Sequence, residues 1–102
     1  MLKTGLIQQE NSADIEANKS KLASSIAWCA EHGAKLIVLQ ELHNSLYFCQ
    51  TEDTTLFDLA ETIPGRSTKF YSFLAKEHEV VLITSLFEKR SAGLYHNTAV
   101  VF

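Results

Sequence analysis

A four-residue apolar run, Leu36-Ile-Val-Leu39, constrains the fold of this chain more than any other stretch. The run is too short for a helix and consists of residues that favour strands. It ends at the polar pair Gln40 and Glu41, and a loop follows. Ligands and reactive side chains collect at the carboxyl ends of buried strands in open α/β sheets. Glu41 is therefore a candidate general base.

The segments around this run predict a βαβ unit. Leu2–Gln8 predicts a first strand, in which Gly5 permits the close approach of a neighbour. A helix is predicted from Ala13 to His32, with Ser12 as its N-cap and Gly33 just past its end. The apolar run, extended by one residue on each side, is the second strand. A crossover of this length predicts parallel pairing of the two strands.

The predicted helix carries one apolar stripe, because its apolar residues recur at spacings of three, four and seven. The stripe consists of Ile15, Leu22, Ile26, Cys29 and Ala30, whereas Lys19, Lys21 and Glu31 lie largely off it. Cys29 is therefore interpreted as a buried helix residue and not as a nucleophile. No glycine-rich loop joins the first strand to this helix, which argues against a dinucleotide-binding site.

The second half of the chain predicts two more helices. A short helix from Thr55 to Glu61 begins with a capping-box spacing and is stopped by Ile63-Pro-Gly65. A further helix runs from Ser67 to His78. Three of its residues are expected to point into the core, namely Phe70, Phe73 and Leu74.

Two strands are predicted to end the chain. Val80–Phe87 is a dense apolar run, Glu88–Gly93 is interpreted as a charged hairpin loop, and Leu94–Phe102 returns antiparallel to the preceding strand. The sequence stops on Ala-Val-Val-Phe, inside an apolar strand. A complete domain seldom ends so, and we expect residues 1–102 to be the N-terminal piece of a larger α/β domain.

Composition excludes several classes of partner. The chain has 102 residues, the size of about one domain. A net charge of -3 offers no basic surface for nucleic acid. No apolar run approaches the roughly 20 residues of a membrane-spanning helix. The N-terminus has no cleavable secretory pattern, so a cytoplasmic protein is expected.

Several segments, taken in order, resemble the nitrilase, or carbon-nitrogen hydrolase, superfamily. They include Gly33-Ala34, Leu36–Leu42 with its terminal Glu-Leu, and Tyr95-His-Asn-Thr-Ala99. Finer features are most similar to the amidases of this family that act on N-carbamoylputrescine. They are Glu41-Leu-His43, Tyr47–Gln50, Leu56–Glu61, Ile63-Pro-Gly65, Thr84–Glu88 and Gly93–Thr98. One departure is Gln40, where many members have proline. The resemblance implies the N-terminal part of a four-layer α-β-β-α sandwich.

The resemblance also implies a Glu-Lys-Cys triad, in which Glu41 matches the general base. The glutamate takes the thiol proton, the thiolate attacks an amide or ureido carbonyl, and the lysine stabilises the oxyanion. In the family, the lysine and the cysteine come from segments that follow residue 102. These 102 residues are therefore expected to be inactive alone.

Three other residues are candidate site residues. Tyr47 matches an aromatic position near the substrate. Its side chain is expected either to line the pocket or to pack against the loop, and the sequence favours neither role. His43 is a candidate substrate contact, although a loop histidine bonded to backbone is the commoner case. Asn97 is interpreted as a brace beside the site, because a buried amide needs fixed partners. No metal or other cofactor is expected, since the histidines show no ligand spacing.

The leading hypothesis is thus a hydrolase of small amide or carbamoyl substrates. It is expected to release ammonia, CO2 and putrescine from N-carbamoylputrescine. Like many members of the family, it is expected to be homo-oligomeric. A ureidopropionase or an aliphatic amidase is the alternative within the family. A small flavodoxin-like binding module is the alternative from another class. An assembly role is a third, because an isolated piece would expose sheet edges and apolar faces.

Overall fold

The structure is a computed structural model that describes residues 1–45 and 59–102. In this part of the chain the elements follow the order β1 (Thr4–Ile7), α1 (Ile15–Glu31), β2 (Leu36–Leu39), α2 (Arg66–His78), β3 (Val81–Ser91) and β4 (Leu94–Val101). The strands form one sheet in the order β1-β2-β3-β4. β1 pairs parallel with β2, β2 pairs parallel with β3, and β3 pairs antiparallel with β4. The predicted βαβ unit and the antiparallel return are confirmed.

Both helices cover the same face of the sheet. Strand residues alternate between the two faces, and every second residue of β2 and of β3 as far as Leu86 is buried under the helices. The resulting core joins strands and helices through Ile7, Ile37, Leu39, Leu82 and Leu86 on the sheet and Leu22, Ile26, Tyr71 and Leu74 on the helices. The described residues thus form one helix layer and one sheet layer.

Both ends of α1 are defined by specific hydrogen bonds. Asp14 is the N-cap, and its Oδ1 accepts the Ala17 N–H at 3.1 Å. The prediction of Ser12 as the cap is wrong. Its hydroxyl oxygen instead accepts the N–H of the N-cap residue Asp14, at 3.2 Å. At the other end Gly33 has φ +92°, and the Gly33 and Ala34 N–H groups close a Schellman motif.

Gly5 does permit a close approach, as predicted. A Cβ built on this residue would lie 3.0 Å from the Cys29 Sγ atom of α1. The absent side chain therefore lets the helix rest directly on the edge strand.

For two helix residues, the predicted exposure of the side chain is wrong. Lys19 is buried, with 8% of its surface exposed, and its Nζ sits 4.6 Å from the centre of the Phe70 ring of α2. Phe73 was predicted to point inward but is 64% exposed. On α2 the inward positions are occupied by Tyr71, Leu74 and Ala75.

The β3–β4 hairpin is longer than predicted. Glu88–Ser91 belong to β3, and Glu88 and Lys89 pair with His96 and Tyr95 of β4. The prediction of a loop from residue 88 is wrong because strand pairing outweighs the charge of this segment. The turn is confined to Ala92 and Gly93, which has φ +77°.

Of the predicted short helix, residues 55–58 lie outside the described residues. Its last residue, Glu61, is not helical: it forms a bridge with Glu88, and the Lys89 N–H donates to the Glu61 carbonyl at 2.7 Å. The segment before α2 is thereby tied to the sheet.

The sheet face opposite the helices is apolar and exposed. Leu6 and Val38 lie side by side on β1 and β2, and Ile83 and Val101 continue the same row across β3 and β4. At the two edges Leu6 is 78% exposed and Val101 63%. No helix in the described residues is long and apolar enough to cross a membrane.

Candidate active site

The candidate site begins where β2 ends. Glu41 is two residues past Leu39, the last residue of the strand, and its side chain is exposed. Asn97 of β4 lies beside it, and the Asn97 Nδ2–H donates to the Glu41 Oε1 atom at 2.5 Å. The fold therefore brings together two residues that are 56 positions apart and that the sequence had singled out separately.

A second contact joins this pair to β3. The Ser85 hydroxyl donates to Asn97 Oδ1 at 2.7 Å, and its oxygen accepts the Leu42 N–H at 3.0 Å. Glu41, Asn97, Ser85 and the backbone of Leu42 thus form a closed polar arrangement around the strand end. A carboxylate with a fixed N–H donor keeps one orientation without losing its capacity to accept a proton.

The loop after β2 has an unusual backbone. Leu42 has φ +47°, a region that branched side chains rarely adopt, and its side chain is buried. Such conformations persist only where the surroundings over-determine them. Here the bond to Ser85 and the burial of the leucyl side chain fix the residue that follows Glu41.

Two asparagines from the α1 side hold the rest of the loop. Asn11 Nδ2 donates to the carbonyls of His43 and Ser45, both at 2.8 Å. Asn18 Nδ2, from the first turns of α1, donates to the Asn44 carbonyl at 3.1 Å. These bonds use the loop carbonyls that have no strand partner.

A buried polar network supports the loop from α2. The Tyr71 hydroxyl donates to Asn44 Oδ1 at 2.5 Å, and Asn44 Nδ2 donates to the Ser67 Oγ atom at 2.9 Å. The Ser67 hydroxyl donates in turn to the Glu61 carboxylate. Burial, followed by the charges of Glu61 and Glu16, raises the pKa of Tyr71, so its hydroxyl stays a proton donor.

His43 is fully buried and packs edge-on against Tyr71, with ring centres 5.0 Å apart. Neither ring nitrogen has a hydrogen-bond partner among residues 1–45 and 59–102, so the backbone bond that we expected is not formed there. Burial lowers the pKa of His43 to about 4, and the nearby Asn44 side chain opposes this only in part. A substrate contact through His43 has no support in this geometry.

Gln40, the departure from the family pattern, links the ends of two strands. Its Oε1 atom accepts the Gln9 N–H at 2.6 Å. The loop that follows β1 and the loop that carries Glu41 are therefore connected directly, through a side chain that proline could not supply.

A groove opens next to Asn97. It lies along the hairpin and is lined by Leu42 from the loop, Phe87 of β3, and Leu94 and Tyr95 of β4. The rings of Phe87 and Tyr95 are 5.7 Å apart. The site therefore combines one held carboxylate with a largely apolar wall, as many small-molecule sites do.

The candidate residues have different outcomes. Glu41 and Asn97 are in contact. The amide of Asn97 has fixed partners as predicted, but Asn97 is exposed and not buried, so that part of the prediction is wrong. His43 is buried away from both the groove and solvent, and Tyr47 lies outside the described residues. Sequence reasoning missed Ser85, and it missed Asn44 with its partners Tyr71 and Ser67. The one available signal was Thr84-Ser85, a pair of hydroxyl residues that interrupts an apolar strand. Residues 1–45 and 59–102 contain no cluster of three or more His, Cys, Asp or Glu that could hold a metal ion.

Known proteins resemble this chain over nearly its whole length. It is 35% identical to a citrullinase of Francisella tularensis over 101 residues, and 38% identical to the mouse omega-amidase NIT2 over 98. It is 32% identical to the N-carbamoylputrescine amidase of Solanum lycopersicum over 89 residues. These matches cover 98%, 95% and 86% of this chain, but only 35%, 34% and 30% of the relatives. The chain spans about a third of their length.

The fold has close counterparts among solved structures. A carbon-nitrogen hydrolase from Helicobacter pylori G27 superposes with a TM-score of 0.92 at 40% identity, over 99% of this chain and 35% of that one. The sequence pattern of the carbon-nitrogen hydrolase family matches residues 3–102. The chain belongs to the carbon-nitrogen hydrolase family, within the nitrilase superfamily.

Proposed function

We propose that this chain supplies the general base of an amidase that cleaves non-peptide C–N bonds of small molecules. One observation carries the proposal: the Glu41 carboxylate stands at the carboxyl end of β2 and receives an N–H from Asn97, in a chain of the carbon-nitrogen hydrolase family. The lysine and the cysteine of a Glu-Lys-Cys triad would come from segments outside these 102 residues. We call the longer protein that unites all three the complete hydrolase.

The proposed reaction has two stages. Glu41 accepts the thiol proton, and the thiolate attacks the carbonyl carbon of the substrate while the lysine stabilises the oxyanion. The C–N bond breaks, and the protonated glutamate returns its proton to the departing nitrogen. Water then attacks the thioester, or the thiocarbamate formed from a carbamoyl substrate, while Glu41 accepts the water proton. The C–S bond breaks, Glu41 returns the proton to the departing sulfur to restore the thiol, and the product acid or carbamate is released, the carbamate losing CO2.

The substrate that we propose is N-carbamoylputrescine, which would yield putrescine, CO2 and ammonia, a step of polyamine biosynthesis. Two relatives support a carbamoyl substrate, since citrulline and N-carbamoylputrescine both carry a carbamoylated amine on an aliphatic chain. Because another relative is an omega-amidase, an aliphatic amide is the alternative substrate class. A ureidopropionase activity is a further alternative within the family. Family membership favours all of these over a flavodoxin-like binding module.

The remaining parts of the proposal concern the complete hydrolase. The exposed apolar face with Leu6 and Val101 supports a second sheet packed against this one. That the complete hydrolase is homo-oligomeric and cytoplasmic remains our proposal from the family resemblance. We keep Tyr47 as a proposed pocket residue. We propose Asn97 as the residue that orients Glu41.

The substrate assignment is tested by ammonia release from the complete hydrolase. The panel contains N-carbamoylputrescine, citrulline, N-carbamoyl-β-alanine and a linear omega-amide at equal concentration. We expect the largest kcat/KM with N-carbamoylputrescine. A larger value with the omega-amide would overturn the carbamoyl assignment and leave the amidase class standing, whereas no release from any of them would contradict the class itself. Each assay is repeated with Glu41→Gln as the blank.

A further inference from the structure

The hydroxyl of Ser85 stands between two groups that fix the active-site loop. It is half-buried on β3, accepts the Leu42 N–H at 3.0 Å and donates to Asn97 Oδ1 at 2.7 Å. On the far side of the same amide, Asn97 Nδ2 donates to Glu41 Oε1 at 2.5 Å. The sequence analysis did not assign this serine to the site.

The direction of each hydrogen bond follows from the chemistry of the groups. The Leu42 N–H is a backbone donor, so it occupies a lone pair of the serine oxygen. The single hydroxyl proton of Ser85 is donated to Asn97, and this bond favours the orientation in which the amide turns its carbonyl oxygen toward the serine. The orientation of an asparagine amide is set by its partners in this way. The NH2 group is consequently left facing Glu41.

This orientation matters for a general base. An NH2 group can only donate, and a donated N–H stabilises the ionised carboxylate more than the protonated acid. With the amide reversed, Asn97 Oδ1 would face Glu41 and would favour a proton on the carboxyl group. The two orientations have nearly the same shape, so only the hydrogen-bond partners distinguish them.

Resting on the proposed function, in which Glu41 is the general base, we propose that Ser85 is a positioning residue that sets the orientation of the Asn97 amide and so keeps Glu41 in its proton-accepting form. Ser85 touches neither the substrate nor the reacting atoms in this role. It acts through Asn97, and it holds the left-handed backbone at Leu42 in the same arrangement.

The test is the pH profile of kcat/KM for ammonia release by the complete hydrolase. The matched pair Ser85→Thr and Ser85→Val differs in a hydroxyl against a methyl group, and both residues suit a strand. We expect Ser85→Thr to keep the wild-type profile. We expect Ser85→Val to move the acid limb upward by about one pH unit, with a loss of roughly tenfold below the limb and a smaller loss on the plateau.

Two further variants separate this role from a merely structural one. Asn97→Leu removes the donor itself and should shift the acid limb at least as far as Ser85→Val. The double variant should shift it no further than Asn97→Leu alone, because the serine acts through the asparagine. A purely structural effect would instead lower kcat/KM by the same factor at every pH. The control for folding is the melting temperature, which should be the same in the variants and the wild type.

The other ionisable groups on the surrounding elements are the same in all the variants, so a difference between the variants does not come from exchanging one of them. On the loop and the sheet they are His43, Glu88, Lys89, Tyr95 and His96. On the helix side they are Glu16 and Lys19 of α1, Arg66 and Lys69 of α2, and Glu61, which precedes α2. Coincident acid limbs for Ser85→Thr and Ser85→Val would overturn the inference. If Glu41→Gln is inactive in the same assays, the proposed function survives that result; if Glu41→Gln is active, the proposed function fails first.

Discussion

His43 gives the loop after β2 a built-in sensitivity to acid. The folded protein holds its pKa at about 4, against 6.5 for an ordinary histidine, because its ring is buried. Between these two values the unfolded chain binds more protons than the folded one. The free energy of unfolding therefore falls as the pH is lowered from 6.5 to 4, and it is fully retained above 6.5.

We expect this histidine to account for about 3 kcal/mol of lost stability at the acid end of that window. The measurement is denaturant unfolding at several pH values between 7 and 4, for the wild type and for His43→Leu. The variant should lose distinctly less stability with falling pH, whatever its stability at pH 7. Identical slopes would show that His43 is protonated equally in both states.

Residue chemistry alone identified Glu41 and Asn97 but not Ser85. The glutamate ends an apolar strand, and an asparagine inside a strand needs partners, so both are visible in the sequence. Ser85 acquires its role only from the register that brings β4 beside β3 and from the positive φ of Leu42. Register and unusual backbone conformations depend on tertiary packing, which local patterns do not encode.

At the scale of elements, the C-terminal end of α1 depends on a left-handed residue. Gly33 has φ +92°, and a Cβ there would make ordinary contacts with the Lys3 side chain. Gly33→Ala is therefore expected to cost about 1 kcal/mol through backbone strain alone. Gly33→Asn should recover part of that loss, because asparagine tolerates this region better. Chemical denaturation measures both, and equal stability of the alanine variant and the wild type would contradict the strain argument.

The contact between the helices also makes a quantitative prediction. The buried ammonium of Lys19 lies 4.6 Å from the centre of the Phe70 ring and 4.0 Å from the Glu16 carboxylate. A double-mutant cycle of Lys19→Met and Phe70→Leu isolates the cation–π contribution, since methionine keeps most of the lysine stem. We expect a coupling energy of about 1 kcal/mol. The same cycle with exposed Lys21 in place of Lys19 is the control and should give none.

The helix errors have a common physical source. Periodicity predicted both helices and their ends within about two residues, but it classed Lys19 as polar surface and Phe73 as core. A lysine stem can be buried while its charge meets an aromatic ring on another element, and that partner is invisible to a one-dimensional pattern. The hairpin error is similar: the charged end of β3 is paired by β4 and by Glu61, which are distant in sequence.

At the scale of the whole molecule, one face of the sheet is covered and the other is not. The row from Leu6 to Val101 crosses all four described strands with apolar side chains. The sequence predicted the α/β class, the parallel unit and the antiparallel return, because each follows from local periodicity and connection length. What covers the second face could not be read from these residues.

The proposed second sheet predicts how this face responds to charge. Leu6→Lys in the complete hydrolase should lower the free energy of unfolding by more than about 3 kcal/mol, since it would bury an unpaired ammonium. Ser24→Lys, at an exposed position of α1, is the matched control and should change it by less than about 0.5 kcal/mol. If both variants behave as surface substitutions, the sheet face is not covered.

The central claim is that the Glu41 carboxylate is the general base, and Glu41→Gln in the complete hydrolase tests it most directly. Glutamine keeps an oxygen that can accept the Asn97 N–H, so the fold should remain while the proton acceptor is lost. We expect ammonia release from N-carbamoylputrescine to fall by about a thousandfold or more. Glu88→Gln, which changes a carboxylate bonded to Thr98 away from the site, should retain near wild-type turnover. Near wild-type turnover in Glu41→Gln would contradict the account.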